Sequence, residues 1–257
     1  MTKRVFAVAA HPDDIEIVMA GTLLRLRDAG YELHYLNVAN GCCGSTECDA
    51  PTAARLRREE ALAACRALGA VFHESLVNDL EIFYDRPTLV RLAAIMREVA
   101  PEIVLTHAPV DYMEDHTNTC RLAVTAAFAR GMPNFPVEPP TPAVSQPVTV
   151  YHAQPHGNRT PLGELVVPGL FVDVTEVIEQ KTAVLACHAS QKRWLDESQG
   201  LDSYLRAMQE LSAEVGRMSG RFAYAEGWRR HLHLGFCDGA ADPLTQALGR
   251  HVSARTV

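Results

Sequence analysis

The sequence of 257 residues lacks a long apolar run, a regular cysteine spacing and an internal repeat. Its first apolar segment, residues 5–10, is followed at once by charged residues and is too short for a signal peptide or a membrane span. The seven cysteines are an odd number without the spacing of a disulfide scaffold. We therefore expect a cytoplasmic protein without a membrane-spanning segment.

The sequence also lacks a cluster of basic residues. Its formal net charge is −7 at pH 7, and the arginine-rich stretch 55–58 is followed directly by Glu59 and Glu60. A surface that binds the phosphate backbone of a nucleic acid needs an excess of positive charge. We therefore expect no nucleic-acid partner, whereas a homo-oligomer remains compatible with the sequence.

Strand-like and helix-like segments alternate along the first half of the chain. The predicted strands are residues 5–10, 33–38, 71–73 and 103–106, and the predicted helices are residues 15–29, 52–68, 87–100 and 115–129. This alternation predicts an α/β protein with a Rossmann-like, mostly parallel sheet that helices cover on both faces. Ligands of such sheets bind at the carboxyl ends of the strands. The segments that follow the strands are therefore the candidates for a functional site.

The second half of the chain gives a weaker pattern. Residues 131–147 are dense in proline and cannot form regular structure, so we expect an ordered crossing or a wall of the site. The later predicted strands are residues 148–152 and 170–174, the later helices are residues 177–187 and 201–218, and the tail after Asp238 carries little pattern. Length and hydrophobic content (47%) favour one domain over residues 1–257.

Two polar clusters follow predicted strands. His11 and Asp14 lie three residues apart across a strand-to-helix turn, so their side chains can converge on one point. An imidazole and a carboxylate are typical of a catalytic zinc site, and the third ligand is expected from residues 107–116, which follow another strand. Asp13 would be free to take a proton from the attacking water. Either cluster alone could be a helix cap, but both fall at strand ends, which favours a site.

Two sequence blocks carry a family resemblance. Residues 11–16 (HPDDIE) with residues 20–22 (AGT) resemble the signature of the LmbE-like, or N-acetylglucosaminyl-phosphatidylinositol de-N-acetylase, superfamily, and residues 111–116 (DYMEDH) resemble its Asp-Tyr-His-Pro-Asp-His block. Weaker matches are residues 57–60 with 68–69, and residues 188–191 with 226–228. The resemblance spans most of residues 4 to 230.

The resemblance implies a metal-dependent hydrolase that removes an acyl group, acetyl in the usual case, from the amine of an amino-sugar conjugate. It implies that His11, Asp14 and His116 bind one divalent ion, zinc, and that Asp13 is the general base. The expected partner is therefore a small-molecule amino-sugar conjugate.

Three further residues take roles from the same resemblance. Arg57 would anchor the substrate, although an ion pair with Glu60 on the helix surface is an equal alternative. Asp111 and Asp115 would be carboxylates that orient neighbouring side chains of the metal site.

Met113 departs from the family pattern at a substrate-binding position, where relatives carry a histidine that is thought to stabilise the oxyanion or protonate the leaving amine. A thioether has no proton to donate. The expected replacements are Tyr112, His107, His156, His188, His231 or His233. The departure leaves open the metal-dependent cleavage of another sugar derivative, or a zinc-bearing carbohydrate-binding protein without turnover.

The loop after the second strand contains Cys42, Cys43 and Cys48. A metal-binding or redox loop is one interpretation. Adjacent cysteines chelate a single ion poorly, however, and no Cys-x-x-Cys motif is present. We therefore expect residues 40–49 to shape the pocket rather than to bind a metal.

Overall fold

A computed structural model describes residues 2–193 and 203–255. The strands are β1 (Arg4–Ala9), β2 (Glu32–Asn37), β3 (Val71–His73), β4 (Ile103–Thr106), β5 (Thr149–Ala153), β6 (Leu170–Asp173), β7 (Ala225–Arg230) and β8 (Val252–Ala254). The helices are α1 (Asp14–Val18), α2 (Ala20–Asp28), α3 (Ala50–Leu68), α4 (Arg86–Val99), α5 (Glu114–Ala129), α6 (Ile178–Leu185), α7 (Ser203–Ser219) and α8 (Pro243–Leu248). The predicted helix over residues 201–218 begins outside the described residues.

The strands form one sheet in the order β3-β2-β1-β4-β5-β7-β6-β8. The five strands from β3 to β5 are parallel, and β7, β6 and β8 pair antiparallel to their neighbours. The prediction of a mostly parallel α/β sheet is confirmed. Because β1 and β4 lie side by side at its centre, the loops that follow them meet at one edge.

Helices cover both faces of the sheet. Val5, Ala7 and Ala9 of β1 pack into a core with α1, α2, α3, α6 and α7, whereas Phe6 and Val8 pack into a second core with α4 and α5. Successive side chains of a strand point to opposite faces, so one apolar strand supplies both cores. No helix in the described ranges is long and apolar enough to cross a membrane.

The ends of the predicted helices follow local chemistry. Asp49 and Asp85 accept hydrogen bonds from the backbone N–H groups of Thr52 (3.1 Å) and Thr88 (2.9 Å) and so cap α3 and α4. Gly69 ends α3 with φ 72°, in the left-handed region that favours glycine. These ends therefore lie within a few residues of the predicted ones.

The helix predicted over residues 15–29 is broken at Met19, and this part of the prediction is wrong. The backbone N–H groups of Gly21 (2.8 Å) and Thr22 (2.7 Å) donate to the carboxylate of Glu226 on β7. That carboxylate also pairs with buried Lys181 at 2.7 Å. A distant carboxylate thus starts α2 as a separate helix, which a local pattern cannot reveal.

Three features of the second half differ from the expectation. No strand was predicted at β7, whose glutamate and glycine are poor strand formers. The tail after Asp238 forms α8 and β8, and β8 pairs with β6. Residues 131–147 contain no helix or strand, as predicted, but they do not form a wall of the described cavity. Instead the Arg97 guanidinium binds them through their backbone carbonyl groups.

Candidate active site

A cavity of about 450 Å³ opens at the carboxyl ends of the parallel strands. The turn after β1 supplies His11, Asp13 and Asp14, and the loop after β4 leads into α5 with His116. Part of the opposite wall is apolar and comes from α7, including Met208. The two polar clusters found in the sequence therefore meet in one cavity.

Three donor atoms converge at the floor of this cavity. His11 Nδ1 lies 3.5 Å from Asp14 Oδ2, and His116 Nε2 lies 3.4 Å from Asp14 Oδ1. All three side chains are buried, and their donor atoms lie within 4.8 Å of one another. Burial alone would raise the pKa of Asp14, but His116 and His107 outweigh it and lower that pKa well below its usual range. Asp14 is therefore an anion that faces two imidazoles.

The second nitrogen of each histidine is held by a carboxylate. His11 Nε2 contacts Asp115 Oδ2 at 2.9 Å, and His116 Nδ1 contacts Asp111 Oδ1 at 3.0 Å. Because a carboxylate only accepts hydrogen bonds, these nitrogens carry hydrogens, and the opposite nitrogen of each ring is the one that a metal can bind when the ring is neutral. Metal-binding histidines are usually oriented in this way, and two nitrogens with one oxygen are a ligand set of catalytic zinc. The residues present fit one divalent ion.

His107 lies beside this cluster but has a different environment. Its ring stacks on His116 with centroids 4.2 Å apart, and its Nε2 accepts the backbone N–H of Ala10 at 2.9 Å. The backbone bond occupies the nitrogen that lies 3.4 Å from Asp14 Oδ2. His107 therefore supports the position of His116 and Asp14, and with Asp111 and His116 it also forms a second group of donor atoms that could hold a metal ion.

Asp13 lies next to the cluster with its carboxylate held from two sides. Tyr204 Oη donates to Oδ2 at 2.8 Å, and Arg57 Nη2 lies 3.4 Å from Oδ1. Burial raises the pKa of Asp13 against the opposing charge of Arg57, which favours a group that exchanges a proton. Its backbone φ of 118° is rare outside glycine, and such strain persists where surrounding contacts enforce it.

Arg57 is buried beneath the site instead of lying on a helix surface. Besides Asp13, its guanidinium donates to the backbone carbonyl of Pro12. The carboxylate of Glu60 accepts hydrogen bonds from Ser190 instead, at 2.7 Å, so the alternative of an Arg57–Glu60 ion pair is wrong. Gly41, with φ 79°, packs on Arg57, and a Cβ there would lie 2.6 Å from its Cδ. The loop after β2 thus closes over this arginine.

Met113 lines the cavity at the N-terminus of α5. Of its six expected replacements, Tyr112 and His156 also line the cavity, and their rings lie 5.5 Å apart. The other four, His107, His188, His231 and His233, do not line the cavity: His188 is buried against Glu16, for example, and His231 contacts His152. The structure therefore reduces the candidates for the missing proton donor to Tyr112 and His156.

Two residues of the site, Tyr204 and Asp79, were not predicted from the sequence. Tyr204 is a single aromatic residue in an amphipathic helix, and it reaches Asp13 from 191 positions away. Asp79 follows β3 and binds the loop after β2 through the backbone N–H groups of Gly41 (2.6 Å) and Cys43 (2.8 Å). The one sequence signal for Asp79 is its position after a short strand, because parallel strands end at the same edge of the sheet.

Removal of the Tyr204 hydroxyl tests the support of Asp13. We expect Tyr204→Phe to lower kcat by about 10- to 10²-fold with little change in KM, because a hydrogen bond to a charged group contributes about 1.5–3 kcal/mol. Tyr31→Phe is the matched control, since the Tyr31 hydroxyl donates to Glu102 at 2.9 Å away from the cavity. Equal kcat values for the two variants would exclude a role of Tyr204 in turnover.

Known proteins are similar to this chain in sequence. The profile of the GlcNAc-PI de-N-acetylase family, PIG-L, matches residues 6–128. The diacetylchitobiose deacetylase of Thermococcus kodakarensis is 30% identical and covers 88% of this chain and 82% of its own. The 4-oxalmesaconate hydratase of Pseudomonas putida is 31% identical and covers 88% of both chains.

A solved structure is similar to this chain in fold. The N,N′-diacetylchitobiose deacetylase of Pyrococcus horikoshii, in complex with an inhibitor, has a TM-score of 0.76 and 26% identity over 90% of this chain and 85% of its own. The fold and the His/Asp/His cluster define an α/β protein of the LmbE-like type. This chain belongs to the GlcNAc-PI de-N-acetylase (PIG-L) family.

Proposed function

We propose that this protein is a zinc-dependent N-deacetylase that removes the acetyl group from an amino sugar or an amino-sugar conjugate. The observation that carries the proposal is the cluster of His11, Asp14 and His116 with Asp13 held beside it in one cavity. The deacetylase relatives support the choice of reaction and of substrate class.

His11 Nδ1, one carboxylate oxygen of Asp14 and His116 Nε2 would hold the metal. When bound, zinc supplies a Lewis acid that activates water at neutral pH and polarises the amide carbonyl. Asp13 takes the proton from the attacking water, and the same carboxyl group can return it to the departing amine. Arg57 and Tyr204 keep the two oxygens of Asp13 in place during both transfers.

The cavity fits a sugar that carries an apolar group. Its polar floor contains the proposed metal ligands and Asp13, whereas Met208, Leu211 and Ile17 give it an apolar side. A cavity of about 450 Å³ lies within the range of small-molecule sites. We infer that the acetylated ring lies over the floor and that the group it carries packs on α7.

A screen for amine release tests the assignment. The purified, zinc-loaded protein is incubated with N-acetylglucosamine, diacetylchitobiose and N-acetylglucosamine glycosides with apolar aglycones, and free amine and acetate are measured together. We expect equal amounts of the two products, and faster release from the apolar glycosides than from the free sugar. No release of acetate from any substrate by the loaded protein would contradict the deacetylase assignment.

The family histidine is replaced by Met113 in this chain, and a thioether cannot donate a proton as an imidazole can. This substitution gives a second test. We propose that His156 takes this part, since its ring also lines the cavity. His156→Ala should lower kcat by about 10²- to 10³-fold, the usual cost of losing one oxyanion donor. Met113→His in the same variant should then restore part of the loss.

The matched control for the His156 and Met113 variants is His251→Ala, because His251 is a histidine near the C-terminal strand. An unchanged kcat in His156→Ala would leave Tyr112 as the cavity-lining candidate. If Met113→His abolished a different reaction of the wild-type protein and gave no deacetylation, the substitution at position 113 would mark altered chemistry.

Hydration of an unsaturated acid is the second candidate function. The hydratase relative is as similar to this chain as the deacetylase relative, and Met113 cannot protonate a leaving amine. A hydratase adds water to its substrate and releases no acetate. The protein is incubated with 4-oxalmesaconate while the ultraviolet absorbance of that compound is recorded. A hydratase changes this absorbance and a deacetylase leaves it unchanged, so the measurement separates the two functions.

A further inference from the structure

A further group of side chains that could bind a metal ion lies in the loops after β2 and β3. It consists of Cys42, Cys43 and Asp79, and we call it the rim triad. The two Sγ atoms lie 3.8 Å apart, and a carboxylate oxygen of Asp79 lies within 4.8 Å of both. The cysteines are adjacent in the loop after β2, whereas Asp79 comes from the segment after β3. No local sequence pattern reveals this third donor, because 36 residues separate it from Cys43.

The distance between the sulfur atoms suits a single ion. Two thiolates bound tetrahedrally to one zinc ion at about 2.3 Å lie about 3.8 Å apart. A disulfide would need the sulfurs at about 2.0 Å, far closer than the observed contact. The two sulfurs of this loop therefore already lie at the spacing of zinc ligands, although adjacent cysteines generally chelate a single ion poorly.

The carboxylate of Asp79 is fixed in advance. The side chain is buried, and its oxygens accept the backbone N–H groups of Gly41 and Cys43 at 2.6 and 2.8 Å. Each carboxylate oxygen has a second lone pair that remains available to a cation. The same hydrogen bonds hold the two-cysteine loop over the carboxylate, so the three donors stay together without a bound ion.

The rim triad is accessible from the substrate cavity. Cys43 is exposed and Cys42 is partly exposed, and Cys43 and Asp79 line the cavity that contains His11, Asp14 and His116. Three protein donors leave a fourth tetrahedral position for water or another small ligand. An ion in the rim triad would face the cavity beside the proposed catalytic metal.

We propose that Cys42, Cys43 and Asp79 form a second site for a thiophilic divalent cation of the zinc class, at the rim of the active-site cavity. Binding replaces the protons of the two thiols by the ion, and no oxidation or reduction takes place. The site is independent of the proposed function, since none of its ligands belongs to the His11, Asp14 and His116 cluster.

Cobalt substitution in a thiol-free reducing buffer tests this site. We expect wild-type protein to bind about two Co²⁺ ions per chain and to show a thiolate-to-cobalt charge-transfer band, because among the described residues the rim triad is the only possible metal group that contains sulfur. Cys42→Ser and Cys43→Ser should each lose the band and about one equivalent of metal. Asp79→Asn should keep the fold and weaken the second equivalent.

Two controls make the test specific. Cys48→Ser should keep the band, since Cys48 lies in the same loop and contacts Ser45 instead. His116→Ala should also keep it while losing the other equivalent, so failure of the catalytic site and failure of the rim site are distinguishable. Absence of the band in wild-type protein, or its persistence in both Cys42→Ser and Cys43→Ser, would overturn the proposal.

Discussion

Asp13→Asn should lower kcat by about 10²- to 10⁴-fold and leave the bound metal in place, as is typical when a general base is removed. Asparagine keeps the size of the side chain and an oxygen for Tyr204 or Arg57, but it cannot take a proton. Because Asp13 is not among the converging donors of His11, Asp14 and His116, metal content should stay at about one ion in that cluster.

The measurement combines steady-state kinetics on an N-acetyl substrate with metal analysis of the same sample. Asp28→Asn is the matched control, since Asp28 is exposed and contacts Arg27 away from the cavity. Wild-type kcat in Asp13→Asn would remove Asp13 from the mechanism. Loss of metal together with activity would instead show that Asp13 acts as a ligand.

The second large effect concerns the proposed ligands. His116→Ala and His11→Ala should each lose the metal of this cluster and lower kcat/KM by more than about 10²-fold, because two remaining ligands hold an ion far less tightly than three. Asp111→Asn should have a smaller effect, within the 10- to 100-fold range typical of a partner that orients a ligand.

Metal content after dialysis, measured beside kcat/KM, checks this order of effects. His251→Ala is the control for a histidine outside the cavity and should change neither quantity. If metal-free wild-type protein kept full activity, the metal-dependent mechanism would be wrong. If Asp111→Asn lost more metal than His116→Ala, Asp111 would be the ligand and His116 its partner.

The parallel half of the sheet could be predicted from local patterns. Each of its buried strands is a short apolar run, and the helices between them begin at residues such as Asp49 and Asp85 and end at glycines such as Gly69. These signals depend on neighbours within a few residues. The antiparallel half could not be predicted in the same way, because β7 and β8 are stabilised by pairing with distant strands.

The sequence by itself determined the parallel α/β core and the two polar clusters at strand ends, because apolar periodicity and short motifs are local properties of the chain. Only the tertiary structure decided how the site is completed. It placed Tyr204 and Arg57 on Asp13, excluded the pairing of Arg57 with Glu60, and brought Asp79 beside two cysteines. These contacts join residues far apart in the chain, so their distances depend on the packing of whole elements and leave no local pattern.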